Sequence, residues 1–485
     1  MVDRYTRTAW RKHASPVRQV GPSTRLEVAR QAPILGAAVF IALGGLLPLF
    51  LVGITPLDAY HSAWAWAYAS TLISAAMFAW IVASAERRLY QLMTWLFMYA
   101  FLGLAPLVQL RVDTDPSTTP NIDHNYDWVA LGVVVLGQVC MIVGGLFNQK
   151  PPRTARRSGF DRRTVDGQRL AVVSVMLTIG AATLIAYVGL GTLFASRIAR
   201  DQALARMFPD SAVQALVLGA ATMGLLVICV AQIQFRKEAK GRTGLGWSFL
   251  SLGSLAALLV IVNPVGSPRY ALMTVLLGLL TALGLVQQIR VYRFLAVSAL
   301  AALLLLFPVL DTFRYSLNAG IHFTGVVDAL TDGDYDSFGQ LNNTIWYVET
   351  CGLAFGNQLT GALLFWVPRS LWEGKPVDTG ILLAEAKGYD FSNLSAPLPA
   401  ELYINFSWAG VVVGMTILGY LIRRWDSSNN RRIMELGSPT VVGCILPFYF
   451  LLLLRGSLLQ ATANLAVILV VGLLVTRKRE SSGKV

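Results

Sequence analysis

Three arginines stand where an apolar run of the chain begins or ends. Arg269 follows an Asn-Pro-Val-Gly-Ser-Pro sequence, Arg455 lies in a short Leu-Arg-Gly-Ser hairpin, and Arg314 follows a run that ends near position 310. A guanidinium stays charged and offers a planar pair of donors that matches the oxygens of a phosphate group. These positions therefore predict binding of a phosphate or pyrophosphate group, with an ion pair to Asp311 as the alternative for Arg314.

Four further cations extend this prediction. Arg197 and Arg200 are three residues apart and would share one face of a helix. Arg369 and Lys375 lie in the sequence Phe-Trp-Val-Pro-Arg-Ser-Leu-Trp-Glu-Gly-Lys-Pro at positions 365–376. Together with the first three arginines they predict one arginine-rich cleft.

A reaction at such a cleft also needs a group that accepts a proton. The candidates for this catalytic base are Glu349, Glu401, His322 and Asp311. For each of them a solvated loop position is the competing interpretation.

The sequence predicts neither a metal centre nor a cofactor. The Asp-Gly-Asp-Tyr-Asp sequence at 332–336 has Ser337 and Asn343 where the EF-hand pattern needs Gly and Glu, so it is interpreted as an acidic turn. The four cysteines fall in no metal-ligand spacing and no disulfide framework.

Composition places these residues in a membrane protein. Of the 485 residues, 55% are hydrophobic and 14% are charged, whereas soluble proteins average about 25% charged residues. These charges are too few to cover a soluble surface. The formal net charge of +13 raises the alternative of a nucleic-acid partner, but the distribution of the basic residues opposes it.

The fold prediction is all-α, a polytopic membrane helix bundle of about twelve transmembrane helices. A large external loop separates the ninth and tenth spans. The predicted spans contain no Asp, Glu, Lys or Arg and cover residues 32–54, 62–84, 90–109, 128–147, 170–194, 212–233, 246–262, 270–287, 294–310, 402–422, 439–454 and 457–475.

Charge asymmetry between alternate loops predicts the orientation. One set of loops, which includes both termini, carries 30 of the 40 Lys and Arg residues and 9 of the 27 Asp and Glu residues. Because Lys and Arg are retained on the cytoplasmic side, both termini are predicted to be cytoplasmic. The predicted arginine cleft then lies on the opposite, external side.

The predicted domains follow from this topology. The 311–401 segment is rich in aromatic residues and leucine, so it is expected to be ordered, with an interfacial or re-entrant helix near 352–368. The predicted units are a basic cytoplasmic arm at 1–31, a first bundle of about nine spans at 32–310, the external loop at 311–401, the last three spans at 402–475 and a cytoplasmic tail at 476–485.

The flanks of Arg269 and Arg455 support an anion site. Ser267 can cap the following helix and Pro268 suits its first position, so Arg269 falls in the first turn, where the helix dipole disfavours a cation unless an anion offsets it. The 439–454 run spans about 24 Å as a helix, less than the roughly 30 Å hydrocarbon core. Arg455 is therefore predicted to lie below the membrane surface in a wet cleft, above Gln460 and Asn464 on one face of the next helix. The alternatives are a structural ion pair for Arg455 and a snorkelling interface arginine for Arg269.

Four stretches resemble the Wzy-type O-antigen or oligosaccharide repeat-unit polymerases. The resemblance spans most of the chain in topology and is specific mainly from about 260 to 460. The stretches are Asn-Pro at 263–264 with Ser-Pro-Arg-Tyr at 267–270, the sequence at 365–376, Glu-Leu-Tyr-Ile-Asn-Phe-Ser-Trp-Ala-Gly at 401–410, and Leu-Arg-Gly-Ser at 454–457.

This resemblance implies an inverting, metal-independent glycosyl transfer between undecaprenyl-pyrophosphate-linked oligosaccharides in the bacterial cytoplasmic membrane. The donor would be a growing glycan on its lipid pyrophosphate, and the acceptor a hydroxyl of a lipid-linked repeat. Membrane lipid, a chain-length regulator and a repeat-unit flippase are the expected partners. Trp346, Trp366, Trp372 and Tyr389 are candidates for stacking on sugars, or for an interfacial aromatic belt.

Three alternatives stay open at this point. An O-antigen ligase-like transferase acting on the same lipid-linked glycan would need the same cleft. A lipid-linked sugar flippase or transporter should show polar residues along its spans and an internal repeat, and neither is evident. A purely structural or sensory membrane protein would not need arginines at the external ends of its spans.

Overall fold

A computed structural model describes residues 32–55, 61–147, 163–209, 211–239, 244–306 and 325–478. Within these ranges the protein is a bundle of helices joined by short connections. Arg314, His322 and Asp311 lie outside the described residues, as do the basic arm at 1–31 and most of the predicted tail.

The first four helices form the N-terminal part of the bundle: α1 (Ala32–Ile54), α2 (Trp64–Ala83), α3 (Leu89–Val112) and α4 (His124–Leu146). Helix α3 is buried along nearly its whole length and runs through the middle of the protein. Its sequence is apolar around its whole circumference, which is typical of a helix that contacts neighbours on every side.

Seven helices follow in the described part of the chain: α5 (Gly167–Val188), α6 (Leu190–Leu193), α7 (Arg197–Met207), α8 (Val213–Glu238), α9 (Leu245–Ile261), α10 (Arg269–Ala282) and α11 (Ile289–Ala301). A π-helical segment, Ala302–Leu306, continues α11. Helix α7 is short and polar, and it packs beside the loop that leads into α10.

The remaining helices occupy the predicted external segment from residue 326 onward and the C-terminal region. They are α12 (Val326–Leu330), α13 (Ser337–Cys351), α14 (Asn357–Leu363), α15 (Thr379–Lys387), α16 (Leu398–Leu436), α17 (Val441–Arg455) and α18 (Leu458–Leu474). From residue 325 onward the predicted external segment is thus folded into short helices. Helix α14 lies where an interfacial or re-entrant helix was predicted. Phe355, just before α14, and Leu363, its last residue, are largely exposed.

Seven described helices are long and apolar enough to cross a membrane, namely α1 to α5, α8 and α16. Each coincides with a predicted span. Helices α9, α10, α17 and α18 are apolar but shorter, and they lie at four further predicted spans. The predicted ninth span continues beyond residue 306, outside the described ranges, so the count of twelve stays a prediction.

Two details of the fold prediction need correction. Helix α16 does not end near 422 but continues to Leu436, so the basic cluster at 423–432 is helical, and a kink at Phe406 and Ser407 interrupts α16 near its start. A short antiparallel ribbon, β1 (Arg163–Val165) with β2 (Thr476–Lys478), also departs from an all-α fold. Three residues per strand carry too little periodicity to be recognised in a sequence.

Glycines allow α4 and α16 to cross in direct backbone contact. A Cβ atom on Gly144 would lie 2.0 Å from the carbonyl oxygen of Thr416, and one on Gly419 would lie 2.0 Å from that of Met141. Small residues at such crossings are typical of helix packing in membranes, where close approach maximises van der Waals contact.

Helix α17 lies between two apolar cores. Phe448 and Leu451 belong to the core built around α2, α3 and α4, whereas Cys444 and Tyr449 belong to the core around α5, α8 and α10. Helix α10 packs along α17. This packing brings the first residue of α10, Arg269, and the last residue of α17, Arg455, to the same region of the protein.

Candidate functional site

A polar cleft lies where the beginnings of α7 and α10 meet the end of α17. Its charged lining consists of Arg197, Arg269, Arg455, Asp334 and Asp336. Thr118, Asn393, Ser395 and Gln460 add polar groups. Three of the seven cations proposed from the sequence therefore line one cleft. Gln460 lines it together with Arg455, whereas Asn464, which was predicted to lie beside Gln460, does not.

Arg269 is the first residue of α10, and it pairs with a carboxylate. Its Nη2 atom contacts Oδ2 of Asp334 in a largely buried ion pair. The helix dipole disfavours a cation in the first turn of α10, and the negative charge of Asp334 offsets this effect. Pro268 is the N-cap of α10 and no side chain caps the helix, so the predicted cap by Ser267 is wrong.

The Ser267 hydroxyl instead closes the loop before α10. It accepts a hydrogen bond from the backbone N–H of Asn263 at 3.1 Å and lies 3.1 Å from the carbonyl oxygen of Ile261, to which it donates. Arg200 donates to the same hydroxyl at 3.0 Å and to the Ile261 carbonyl at 3.1 Å. The buried Arg200 thus positions the loop that carries Arg269, and it does not line the cleft.

Arg455 donates into the acidic turn through one guanidinium nitrogen. Its Nη2 atom lies 2.9 Å from the carbonyl oxygen of Asp334 and 3.2 Å from Oδ1 of Asp336. The guanidinium carbon lies 5.6 Å from the ring centre of Phe101 on α3. Its buried Nε atom has no hydrogen-bond partner among the described residues, so Arg455 keeps a donor that a ligand could use.

Asp336 is the more buried of the two cleft carboxylates. It accepts hydrogen bonds from the backbone N–H of Ser395 at 3.0 Å and from Arg455. Burial raises the pKa of Asp336, and the positive charge of Arg455 opposes that rise. Because Asp336 directly precedes α13, the acidic turn is fixed at its end by the start of a helix.

Sequence reasoning missed Asp334 and Asp336 as site residues. The Asp-Gly-Asp-Tyr-Asp stretch was interpreted only as an acidic turn, which the structure confirms as a single turn of 3₁₀ helix, Gly333–Tyr335. The available signal was three acidic residues within five positions on the side predicted to face outward, close to arginines of the same side.

Arg197 lines the cleft from the start of α7, and its Nε atom lies 3.8 Å from Oδ2 of Asp201. Arg369 and Lys375 do not line it. Arg369 donates to the carbonyl oxygen of Lys375 at 2.8 Å, and Lys375 donates to that of Phe365 at 2.6 Å. These two cations therefore stabilise their own loop.

The predicted bases Glu401 and Glu349 also lie away from the cleft lining. Glu401 is buried, and its carboxylate accepts from the Thr379 hydroxyl and from the backbone N–H of Leu458, both at 3.0 Å. It thereby caps α18 and ties α15 to α16. Glu349 is exposed near the end of α13.

The aromatic candidates divide into two groups. Trp346 faces Lys387, whose Nζ lies 4.2 Å from the ring centre, and the Tyr389 hydroxyl accepts from Asn343 at 3.1 Å. Trp366 is 65% exposed. Neither these three residues nor Trp372 lines the cleft, so a sugar-stacking role for the four stays a prediction.

The open volume of the cleft is about 60 Å³. Asp334 and Asp336 already pair with Arg269 and Arg455. An anion that binds these guanidinium groups therefore competes with the carboxylates for the same charge-assisted hydrogen bonds.

A cluster of possible metal ligands lies elsewhere. His61, Asp113 and His124 each place one ligand atom within 4.8 Å of the others. The cluster could not be recognised in the sequence because its members follow no metal-ligand spacing and meet only through the packing of α2, α3 and α4.

Comparison with known proteins supports the resemblance noted in the sequence. Residues 385–478 match the family model described as O-antigen polysaccharide polymerase Wzy. The matched segment includes Asn393, Ser395, Arg455 and Gln460 of the cleft. No curated protein and no solved structure matches the chain.

Proposed function

We propose that this membrane protein polymerises undecaprenyl-pyrophosphate-linked oligosaccharide repeat units at the outer face of the bacterial cytoplasmic membrane. The observation that carries the proposal is the meeting of Arg269 and Arg455 in one cleft, from two helices more than 180 residues apart in the chain. Arg455 belongs to the segment that matches the polymerase family, and Arg269 comes from outside it.

The proposed reaction is a single displacement with inversion. A hydroxyl of the acceptor repeat attacks the anomeric carbon of the donor glycan, and the bond from that carbon to the lipid pyrophosphate breaks. The leaving pyrophosphate gains negative charge, which Arg269 and Arg455 stabilise with Arg197 beside them. Preorganised donors of this kind typically contribute about 10²–10³ in rate each.

The proton of the acceptor hydroxyl goes to Asp334 in this proposal. Asp334 is the more exposed cleft carboxylate, with 16% of its side chain exposed against 3% for Asp336. A pyrophosphate that binds Arg269 competes with Asp334 for that guanidinium, so the carboxylate can turn to accept a hydrogen bond from the acceptor hydroxyl. Donor binding thus prepares the base. His322, outside the described residues, stays the alternative base.

Metal independence also belongs to the proposal. A lipid pyrophosphate is already a good leaving group, and the cleft arginines supply the positive charge that a divalent cation supplies in other phosphate sites. Arg314 stays in the proposed binding set, since its sequence position follows a predicted span on the same side.

The decisive experiment uses purified protein with a lipid-linked repeat unit as both donor and acceptor. The wild-type protein should produce a ladder of products that remain on the lipid, and Arg269→Ala should stop chain extension. Arg424→Ala is the matched control because Arg424 is an exposed arginine of α16 remote from the cleft lining. Transfer of glycan only to a different acceptor would indicate a ligase, and movement of the lipid without new bonds would indicate a flippase; either result refutes the proposal.

A further inference from the structure

A second cluster of ligand-bearing side chains lies apart from the cleft. His61 precedes α2, Asp113 directly follows α3, and His124 begins α4. One ligand atom from each lies within 4.8 Å of the other two. None of the three lines the arginine cleft, so their convergence has no place in the proposed transfer reaction.

His124 is held in the manner of a metal ligand. Its Nδ1 atom lies 3.0 Å from Oδ2 of Asp127, which is buried. The other carboxylate oxygen of Asp127 accepts from the Asn342 amide at 2.9 Å. A carboxylate behind one imidazole nitrogen fixes the ring and directs the other nitrogen outward, as in carboxylate–histidine–metal arrangements. The other ring nitrogen, Nε2, lies 3.4 Å from Oδ1 of Asp115.

His61 completes the cluster from the opposite side. Its Nε2 atom lies 2.6 Å from Oδ1 of Asp113, and its ring stacks on that of His124 with centres 3.8 Å apart. The backbone N–H of His61 donates to the carbonyl oxygen of Leu110 at 2.8 Å, which fixes its position against the end of α3. Asp113 has a left-handed backbone with φ of 51°. This conformation is common at the C-terminal end of a helix, and Asp113 is the C-cap residue of α3.

We propose that His61, His124 and Asp113 bind one divalent transition-metal ion of the Zn²⁺ type. Two imidazoles with a carboxylate suit Zn²⁺ and its chemical relatives better than Mg²⁺ or Ca²⁺, which prefer oxygen ligands. Asp115 or a water molecule supplies the fourth ligand.

Metal binding requires the imidazole rings to turn, because two rings stacked nearly parallel with centres 3.8 Å apart do not direct a nitrogen each at one ion. Zinc ligands lie about 2.0–2.1 Å from the ion, so two tetrahedral ligand atoms are about 3.4 Å apart. The side chains of His61 and Asp113 are 31% and 49% exposed, which leaves them free to close from the 4.8 Å limit and leaves the site open to ions.

The bound ion would fasten the segment between α3 and α4 to the start of α2. That segment carries Thr118, whose hydroxyl donates to the carbonyl oxygen of Gly333 at 3.3 Å and which lines the arginine cleft. The ion therefore acts as a structural clamp beside the acidic turn, and it contacts neither Arg269 nor Arg455.

The test measures Zn²⁺ binding to the full-length protein, purified in detergent with a tag that contains no histidine. Isothermal titration should give one Zn²⁺ per chain, and Co²⁺ should give the visible absorption of a tetrahedral site. His61→Ala and His124→Ala should each abolish this signal. Asp127→Asn should weaken Zn²⁺ binding by about 10–100-fold, because it removes the carboxylate that orients His124.

His13→Ala is the matched control, since the chain has four histidines and His13 is not one of the proposed ligands. It should bind Zn²⁺ like the wild type. A monodisperse elution profile in each variant excludes misfolding as the cause of lost binding. Full binding in His124→Ala, or no stoichiometric binding by the folded wild-type protein, overturns the proposal and leaves a metal-free cluster of His–Asp pairs. Neither result depends on polymerase activity.

Discussion

Replacing Arg455 by alanine should affect both the proposed reaction and the stability of the protein, and the structure allows the two effects to be separated. In the reaction, the variant loses a donor to the leaving pyrophosphate. The expected loss is about 10²–10³ in the rate of chain extension, or about 2.7–4 kcal/mol of transition-state stabilisation.

The stability effect arises from Asp336. Arg455 lies 3.2 Å from Oδ1 of Asp336, whose side chain is only 3% exposed. Removal of one partner of a buried ion pair costs about 3–5 kcal/mol because the other charge stays buried and unpaired. The cost here should fall at or below the lower limit, since 22% of the Arg455 side chain is exposed. Even about 3 kcal/mol is a large fraction of a typical folding free energy of about 5–15 kcal/mol.

A double variant, Arg455→Ala with Asp336→Asn, separates these effects. It removes the unpaired charge, so it should recover most of the stability that Arg455→Ala loses, without recovering activity. Arg455→Lys should keep the stability and regain only part of the activity, because lysine retains the charge but not the planar pair of donors. The assays are the length ladder of lipid-linked products and the thermal unfolding of purified protein. A double variant that is stable and gives full-length ladders at the wild-type rate would refute the role of Arg455.

Three other results are expected. Burial raises the pKa of Asp336. Asp336 in its protonated form therefore contributes stability below the unfolded pKa of about 3.9, and this contribution is lost as the pH rises through the folded pKa. The melting temperature of the wild type should fall relative to that of Asp336→Asn as the pH is raised from about 4 toward neutrality. Cys351 is the exposed member of the four cysteines, so a membrane-impermeant thiol reagent should label it in intact cells. Cys351→Ser should abolish labelling, and Ser392→Cys in that background should restore it. Protection of both positions until lysis would contradict the predicted topology. His124→Ala lacks the proposed metal site, so its rate of chain extension should be the same with and without excess chelator. A loss of activity in chelator that added divalent ions restore would show that the transfer reaction itself needs a metal.

The long membrane helices could be predicted from the sequence because their signal is local. A run of about 20 apolar residues without charges is sufficient to identify a span. Helix ends were predicted less well: α16 continues to Leu436 through a basic segment, since arginines form helix as readily as leucine does. Charge marks the end of the hydrocarbon layer, not the end of the helix.

The candidate site was only partly predictable, for a different reason. Arg269 and Arg455 were identified because a cation at an external helix end is unusual in a membrane protein. Asp334 and Asp336 were not, because acidic residues are common on that side and become informative only when packing brings them to the arginines. Arg200 and Glu401 show the converse, since their charge suggested binding or catalysis and their contacts are with the backbone and hydroxyl groups of neighbouring elements.

The pairing of arginines with carboxylates has a consequence for the proposed polymerase reaction, in which a lipid pyrophosphate must leave the cleft at every cycle. A cleft that held Arg197, Arg269 and Arg455 without counter-charge would be destabilised by repulsion, and it would retain the pyrophosphate that leaves. With Asp334 and Asp336 in place, the free energy of pyrophosphate binding is the difference between two sets of charge-assisted hydrogen bonds, and it is correspondingly smaller. The same carboxylates replace the lipid pyrophosphate when it departs. The acidic turn thereby lowers the affinity for donor and product alike, whereas the negative charge that develops only during transfer still receives the full benefit of the arginines.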